Sequence, residues 1–207
     1  ATDTVGHGLG AKPGWIVIKD RGGTNHWCVA YPDTLNNNQV LQLNLTNAIF
    51  NDSAGFNDTV NTGTTSSVFV SGNGGLTGSN STNYVAYCFV EKQGYNKFST
   101  YSGNGSTDGT FVYTGFKPAW ILLKKTGSGN NWNIFDNKRN TFNVVTQAIA
   151  AQESGTGQNA DFIDFLSNGF KLRSTDSDVN GSGSTYVYAA FAESPFVNSK
   201  GVPNNAR

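Results

Sequence analysis

The chain of 207 residues carries 14 basic and 14 acidic residues, a net charge of zero and a pI near 6.9, which excludes the basic footprint of a phosphate-backbone binder. Gly supplies 25 residues, aromatics 13% and charged residues only 14%, the composition of short strands joined by many turns and not of a helical bundle or a disordered tail. No apolar run approaches the ~20 residues of a membrane span, and no signal-peptide pattern opens the chain, so a soluble protein is expected. The chain holds no Met and begins Ala1-Thr2, which suggests loss of an initiator Met or excision from something longer.

Gly6, Gly8, Gly10 and Pro13 predict an irregular lead-in around the lone His7. Trp15 to Asp20 follows as a strand apolar on both faces, Trp15 and Val17 against Ile16 and Ile18, and is therefore predicted to be buried. An exposed turn at Arg21 to His26 leads into a second strand, Trp27 to Tyr31. Val40 to Leu45 alternates Leu41, Leu43 and Leu45 with Gln42 and Asn44, the pattern of a half-buried strand. A polar excursion over 47–67 with one short element precedes the strand Val68 to Val70. After a loop at 72–83 comes the apolar run Tyr84 to Glu91.

The hairpin then recurs. Trp120 and Trp132 stand 105 residues after Trp15 and Trp27 (120 − 15, 132 − 27), and Lys12-Pro13 returns as Lys117-Pro118. Tyr186 to Glu193 repeats Tyr84 to Glu91 at an offset of 102 (186 − 84), so loops between the copies differ in length while strands are kept. Between the copies, Asn96 to Tyr101 and Thr110 to Thr114 read as strands around a Gly/Asn turn. Phe142 to Glu153 is the one stretch read as a helical turn or two, although Val144-Val145-Thr146 is equally strand-like. Phe162 to Leu166 and Phe170 to Arg173 predict a hairpin around Ser167-Asn168-Gly169. Cys28 and Cys88 sit in apolar strands without ligand-spaced neighbours, which favours buried free thiols over a disulfide.

These elements predict an all-β fold, a jelly-roll or lectin-like β-sandwich. It would be one domain over 1–207, built from two pseudo-symmetric ~100-residue repeats at about 5–95 and 110–196 and closed by a polar tail at 197–207.

Several runs as a set resemble a known family: His7-Gly8-Leu9-Gly10 before Pro13, Tyr84 to Phe89 leading into Glu91 and Gly94-Tyr95, and Tyr101 to Gly109. Phe111 to Phe116, Asp136-Asn137-Lys138-Arg139, Asp164 to Arg173 and the closing Asn-Ala-Arg belong to the same set. The chain resembles an uncharacterised domain at the C-terminal end of virion and tail-fibre-like proteins of marine bacteriophages, often beside lectin-like sandwich modules. The resemblance spans nearly the whole chain and departs at Cys28 and at Ala30-Tyr31-Pro32-Asp33. It implies a virion location, a homo-oligomer such as a trimer or filament, contacts with other virion proteins, and recognition of host surface glycans by a tail-fibre or receptor-binding module. A purely structural, self-assembling subunit is the alternative.

Sugar binding needs an aromatic face beside amides or charges, which nominates His26, Trp27 and Asp33 in the first copy and Trp132, Asp136, Lys138 and Arg139 in the second. The competing reading makes both tryptophans core. Asp176, Asp178 and Asn180 with Gly181 match the first half of a calcium loop, but Val187 stands where the bidentate Glu belongs, and a plain exposed loop competes. Asp161 and Asp164 fall on opposite faces of a strand, and Glu91 and Glu193 end equivalent strands. Two histidines and no Gly-x-Ser-x-Gly elbow leave no triad, so the expectation is a binding protein without cofactor and not an enzyme.

Overall fold

The computed structural model describes residues 3–31, 39–52, 63–72, 75–155 and 157–195. Every regular element among the described residues is a β-strand, and the strands gather into antiparallel sheets. Accordingly, no helix among the described residues is long and apolar enough to cross a membrane. The backbone divides into two compact units, Ala1–Val90 and Glu91–Arg207.

In the first unit, β1 (Asp3–Gly6), β2 (Trp15–Asp20), β3 (Cys28–Ala30), β4 (Gln39–Gln42), β5 (Phe50–Asn51), β6 (Val68–Ser71) and β7 (Tyr84–Phe89) form two sheets. One has the order β5-β4-β3-β2-β7 and the other is the ribbon β1-β6. Ile16, Ile18, Cys28, Ala30, Val40 and Phe69 make the core. On the opposite face of β2, Trp15 and Val17 are also buried, which is why the strand is apolar on both faces from Trp15 to Ile18. Both cysteines are free; Cys28 and Cys88 pair with Ile18 and Ile16 on opposite sides of β2, so the sheet keeps them apart.

In the second unit, β8 (Asn96–Ser102), β9 (Phe111–Tyr113), β10 (Pro118–Lys125), β11 (Trp132–Asp136), β12 (Val145–Ala150), β13 (Gln158–Leu166), β14 (Gly169–Leu172) and β15 (Thr185–Ala192) form one sheet, β8-β15-β10-β11-β12-β13-β14-β9. Its core is aromatic, with Tyr101, Phe116, Phe135, Phe162, Phe170 and Tyr188 among its members. The β13-β14 hairpin turns at Ser167-Asn168 and brings Gly169 opposite Tyr113 of β9. A Cβ on Gly169 would lie 2.1 Å from the Val112 carbonyl oxygen, so only glycine permits this approach.

The repeated hairpins pair alike. Ile16↔Ala30 and Val17↔Val29 become Ile121↔Phe135 and Leu122↔Ile134, each residue moved by 105 (121 − 16, 135 − 30). On the other side Ile16↔Cys88 becomes Ile121↔Ala190, with β7 moved to β15 by 102 (190 − 88). The burial differs: Tyr186 to Ala190 are buried, whereas Tyr87 is 48% exposed and Ala86 is exposed. The reason is position in the sheet, since β15 runs between β8 and β10 while β7 pairs only with β2 among the described residues.

Three expectations change. The lead-in holds a strand, because Thr4 and Val5 pair with Val70 and Phe69 despite the flanking glycines. The stretch read as helical is β12, where β-branched residues and pairing with β11 and β13 outweigh local helix preference. The strand read over Val40 to Leu45 ends at Gln42 and does not alternate, since Val40, Leu41 and Gln42 are all buried between neighbouring strands. The C-terminal tail and Pro32-Asp33 lie outside the described residues.

A lysine closes each hairpin turn. Lys19 Nζ donates to the carbonyls of Asp20 and Gly23, and Lys124 Nζ donates to those of Lys125 (2.6 Å) and Ser128 (3.1 Å), the same positions moved by 105. In the first copy, Asp20 also accepts from the Gly22 and Gly23 N–H groups (2.8 and 3.0 Å). Lys124 is fully buried, and desolvation pushes its pKa down from 10.5 to about 8 against the upward pull of Asp178. The folded protein therefore loses this proton near pH 8 while the unfolded chain keeps it to near 10.5, so stability rises with pH across that window. Relative to a Lys124→Met variant, the native chain is expected to gain on the order of 1 kcal/mol between about pH 7.5 and about pH 9 in urea unfolding. An unchanged difference would contradict a desolvated ammonium.

Candidate functional site

The first-copy residues form a surface patch. Trp27, half-buried just ahead of β3, stacks on Tyr87 of β7 with ring centroids 6.4 Å apart and planes 23° apart. Asn44 ties the patch together, its Oδ1 accepting from the Trp27 N–H (3.0 Å) and its Nδ2 lying 3.0 Å from His26 Nδ1. Asp33, nominated with them, lies outside the described residues. One face of Trp27 is thus occupied by Tyr87, and the exposed aromatic edge belongs to the tyrosine.

The second copy separates its nominated residues. Trp132 is fully buried and offers no face to a ligand; the core reading holds there. Asp136 and Arg139 form a turn staple: the carboxylate accepts from the Lys138 and Arg139 N–H groups and from Arg139 Nε (2.6 Å), while Arg139 also donates to the Ile134 carbonyl. Partial burial pulls the Asp136 carboxyl upward, but the Arg139 and Lys138 hydrogen bonds outweigh it and hold the group below the usual carboxylate range. Lys138 alone of the four is exposed, and only its backbone N–H takes part in the staple.

Lys138 borders a cleft of about 350 Å³ between the 137–143 loop, Lys117 and Glu193. Its floor is a polar relay in which Lys117 Nζ and Asn137 Nδ2 each reach Glu193 at 2.8 Å. The other amide atom, Asn137 Oδ1, is buried and accepts no hydrogen bond, the only such side-chain atom among the described residues. Phe142, 84% exposed, lines the same cleft. The loop on both sides of this ring is pinned. Asn140 Oδ1 accepts from the Thr146 and Gln147 N–H groups, and the Asn143 amide bonds both the N–H and the carbonyl of Phe165 at 2.9 Å. Such a ring is held out in water by the loop and not by lack of order, since its neighbours are fixed.

The calcium-loop residues are engaged otherwise. Asn180 is fully buried; its Nδ2 donates to Asn104 Oδ1 (2.9 Å) and to the Ser106 and Ser174 carbonyls (2.8 Å each), and its Oδ1 accepts from the Asn104 N–H. Asp176 Oδ1 accepts from the Asp178 N–H, and Asp178 accepts from Asn130. The segment is a loop clasp around Asn180, and its exposed-loop reading is corrected at that residue. Among the described residues no group of three or more His, Cys, Asp or Glu side chains could hold a metal. Three of the four carboxylates singled out in the sequence are paired with cations: Glu91 with Lys97 and Glu193 with Lys117 at 2.8 Å, and Asp164 with Arg173 at 2.6 Å.

Of the residues that line this cleft, sequence reasoning nominates Lys138 and passes over Phe142 and Asn137. A lone aromatic in the polar run Asn137 to Asn143 was the available signal, but Phe142 was absorbed into a stretch read as helical. Residues 1–195 match the model of a family described as a domain of unknown function, DUF7483. No curated protein and no solved structure matches the chain.

Proposed function

We propose, for a chain that belongs to the DUF7483 family of domains of unknown function, that it is a glycan-recognising module of a bacteriophage virion, acting in the manner of a tail fibre or receptor-binding protein. The observation that carries the glycan part is Phe142, held exposed on the cleft that the ammonium of Lys138 borders. The C–H face of a pyranose stacks on the ring, and Lys138 donates to a ring or carboxylate oxygen. Nothing in this scheme requires turnover, and the module binds without chemistry. The virion setting is supported by the motif resemblance alone.

The scaffold we propose is a lectin-like arrangement of two repeats, supported by the shared registers and by the lysine that closes each turn. Several copies on a particle would offset a weak single site through avidity. Self-association is also the alternative reading, a structural subunit, and the unguarded strand β7 favours it.

Glycan-array binding tests the site. Phe142→Ala and Lys138→Ala are each expected to weaken binding about tenfold, the effect of losing ~1.4 kcal/mol, with unfolding free energies within ~0.5 kcal/mol of the native chain. Trp27→Ala should leave the glycan signal in place. Binding that survives Phe142→Ala and disappears with Trp27→Ala would move the site to the first copy.

A further inference from the structure

The six residues of β7, Tyr84–Phe89, contain no charge, no proline and no bulge, and among the described residues they pair with β2 alone. Sheet proteins ordinarily guard such an edge with lysine, proline, brevity or cover. The other edges among the described residues are guarded in those ways: β5 has two residues and β9 three, β8 carries Lys97, the four-residue β1 carries Asp3, and β6 is buried over Phe69 to Ser71. The second unit shows what this position in the sheet takes. There β15, equivalent to β7, is covered by β8 in an antiparallel pairing from Asn96↔Phe191 to Ser102↔Thr185.

We propose that β7 docks against β7 of a second copy of this chain, antiparallel and centred on Ala86. The inference goes beyond glycan recognition and gives the proposed self-association its interface. A two-fold axis normal to a sheet sets a residue opposite its own copy, so the candidates for the centre are Ala86 and Tyr87. At Ala86 the small exposed side chain lies on the axis, each Val85 meets a Tyr87, and each Tyr84 meets a Cys88, β-branched and small groups against aromatic ones with no charge opposed. A Tyr87 centre would force together two rings that already stack on Trp27. The same patch serves both copies, which closes the assembly as a dimer. A groove of about 430 Å³ beside the strand, lined by His7, Phe69, Ala86 and Cys88, extends the surface a second copy covers.

The test is analytical ultracentrifugation across a wide concentration range. The native chain is expected to show a concentration-dependent dimer. Ala86→Lys and Ala86→Glu each set like charges on the axis and should give monomers, with far-ultraviolet circular dichroism unchanged because the side chain is exposed in the single chain. Mixing the two variants should restore the dimer mass. A monomeric native chain would overturn both this interface and the wider self-association reading. An oligomer untouched by either charge would overturn the interface alone, and so would a mixture that stays monomeric.

Discussion

Asn180→Ala is expected to cost about 3 kcal/mol in urea unfolding, because a fully buried amide loses at once the three acceptors that share its two Nδ2 hydrogens and the one donor to its Oδ1. The side chain joins two loops that are far apart in sequence, the 102–106 turn and the 174–181 segment. Those loops meet so closely that a Cβ on Gly103 would lie 2.4 Å from the Gly181 carbonyl oxygen, leaving no room for water to replace the amide. Two stacked tyrosines brace the same segment, Tyr101 and Tyr186 donating to the Val179 and Ser177 carbonyls at 2.7 Å. Asp178→Ala removes one partly exposed acceptor and should cost about 1 kcal/mol. If the segment were a calcium site instead, a chelator would lower the melting temperature and Asp176→Ala would cost more than Asn180→Ala. The clasp predicts neither.

Trp132→Ala is expected to destabilise by about 3–5 kcal/mol, while Trp27→Ala, at the matching position of the other hairpin, should cost about 1 kcal/mol. Trp132 is fully enclosed, and its deletion leaves a cavity in the second unit. Trp27 is half-buried and rests on a single exposed ring. Thermal or urea unfolding of the two variants decides the matter, and equal costs would mean that the two tryptophans share one environment. The unequal outcome follows from β7, which leaves Tyr87 and its stacking partner at a sheet edge, against β15, which is enclosed on both sides.

What could be read from the sequence, and what could not, divides along the same line. The hairpins were legible because strands apolar on both faces admit only burial, and a repeated spacing of aromatic residues survives any loop change. Ile16 and Ile121 take their predicted places in the same register. The exposure of β7 was hidden, since Tyr84 to Phe89 is as apolar as Tyr186 to Phe191 and only sheet order tells them apart. The strand at β1 was hidden by its glycines, and β12 by alanines and glutamines that suit a helix until β11 and β13 pair with it. At the proposed site, Lys138 was legible as a charge near Trp132 in the sequence. Asn137 and Phe142 could not be found that way, because an unsatisfied buried oxygen and a ring propped into solvent depend on how Asn140 and Asn143 pin the loop.

The central claim is that a glycan settles at the Phe142 cleft. Mapping of backbone amide shifts by nuclear magnetic resonance, during titration with an oligosaccharide selected from the array, tests it most directly. The account predicts shifts clustered at Lys117, the 137–143 loop and Glu193, with the signals of Trp27 and Tyr87 unmoved. Shifts confined to the Trp27 and Tyr87 patch, or no shift at any concentration for every sugar tried, would contradict it.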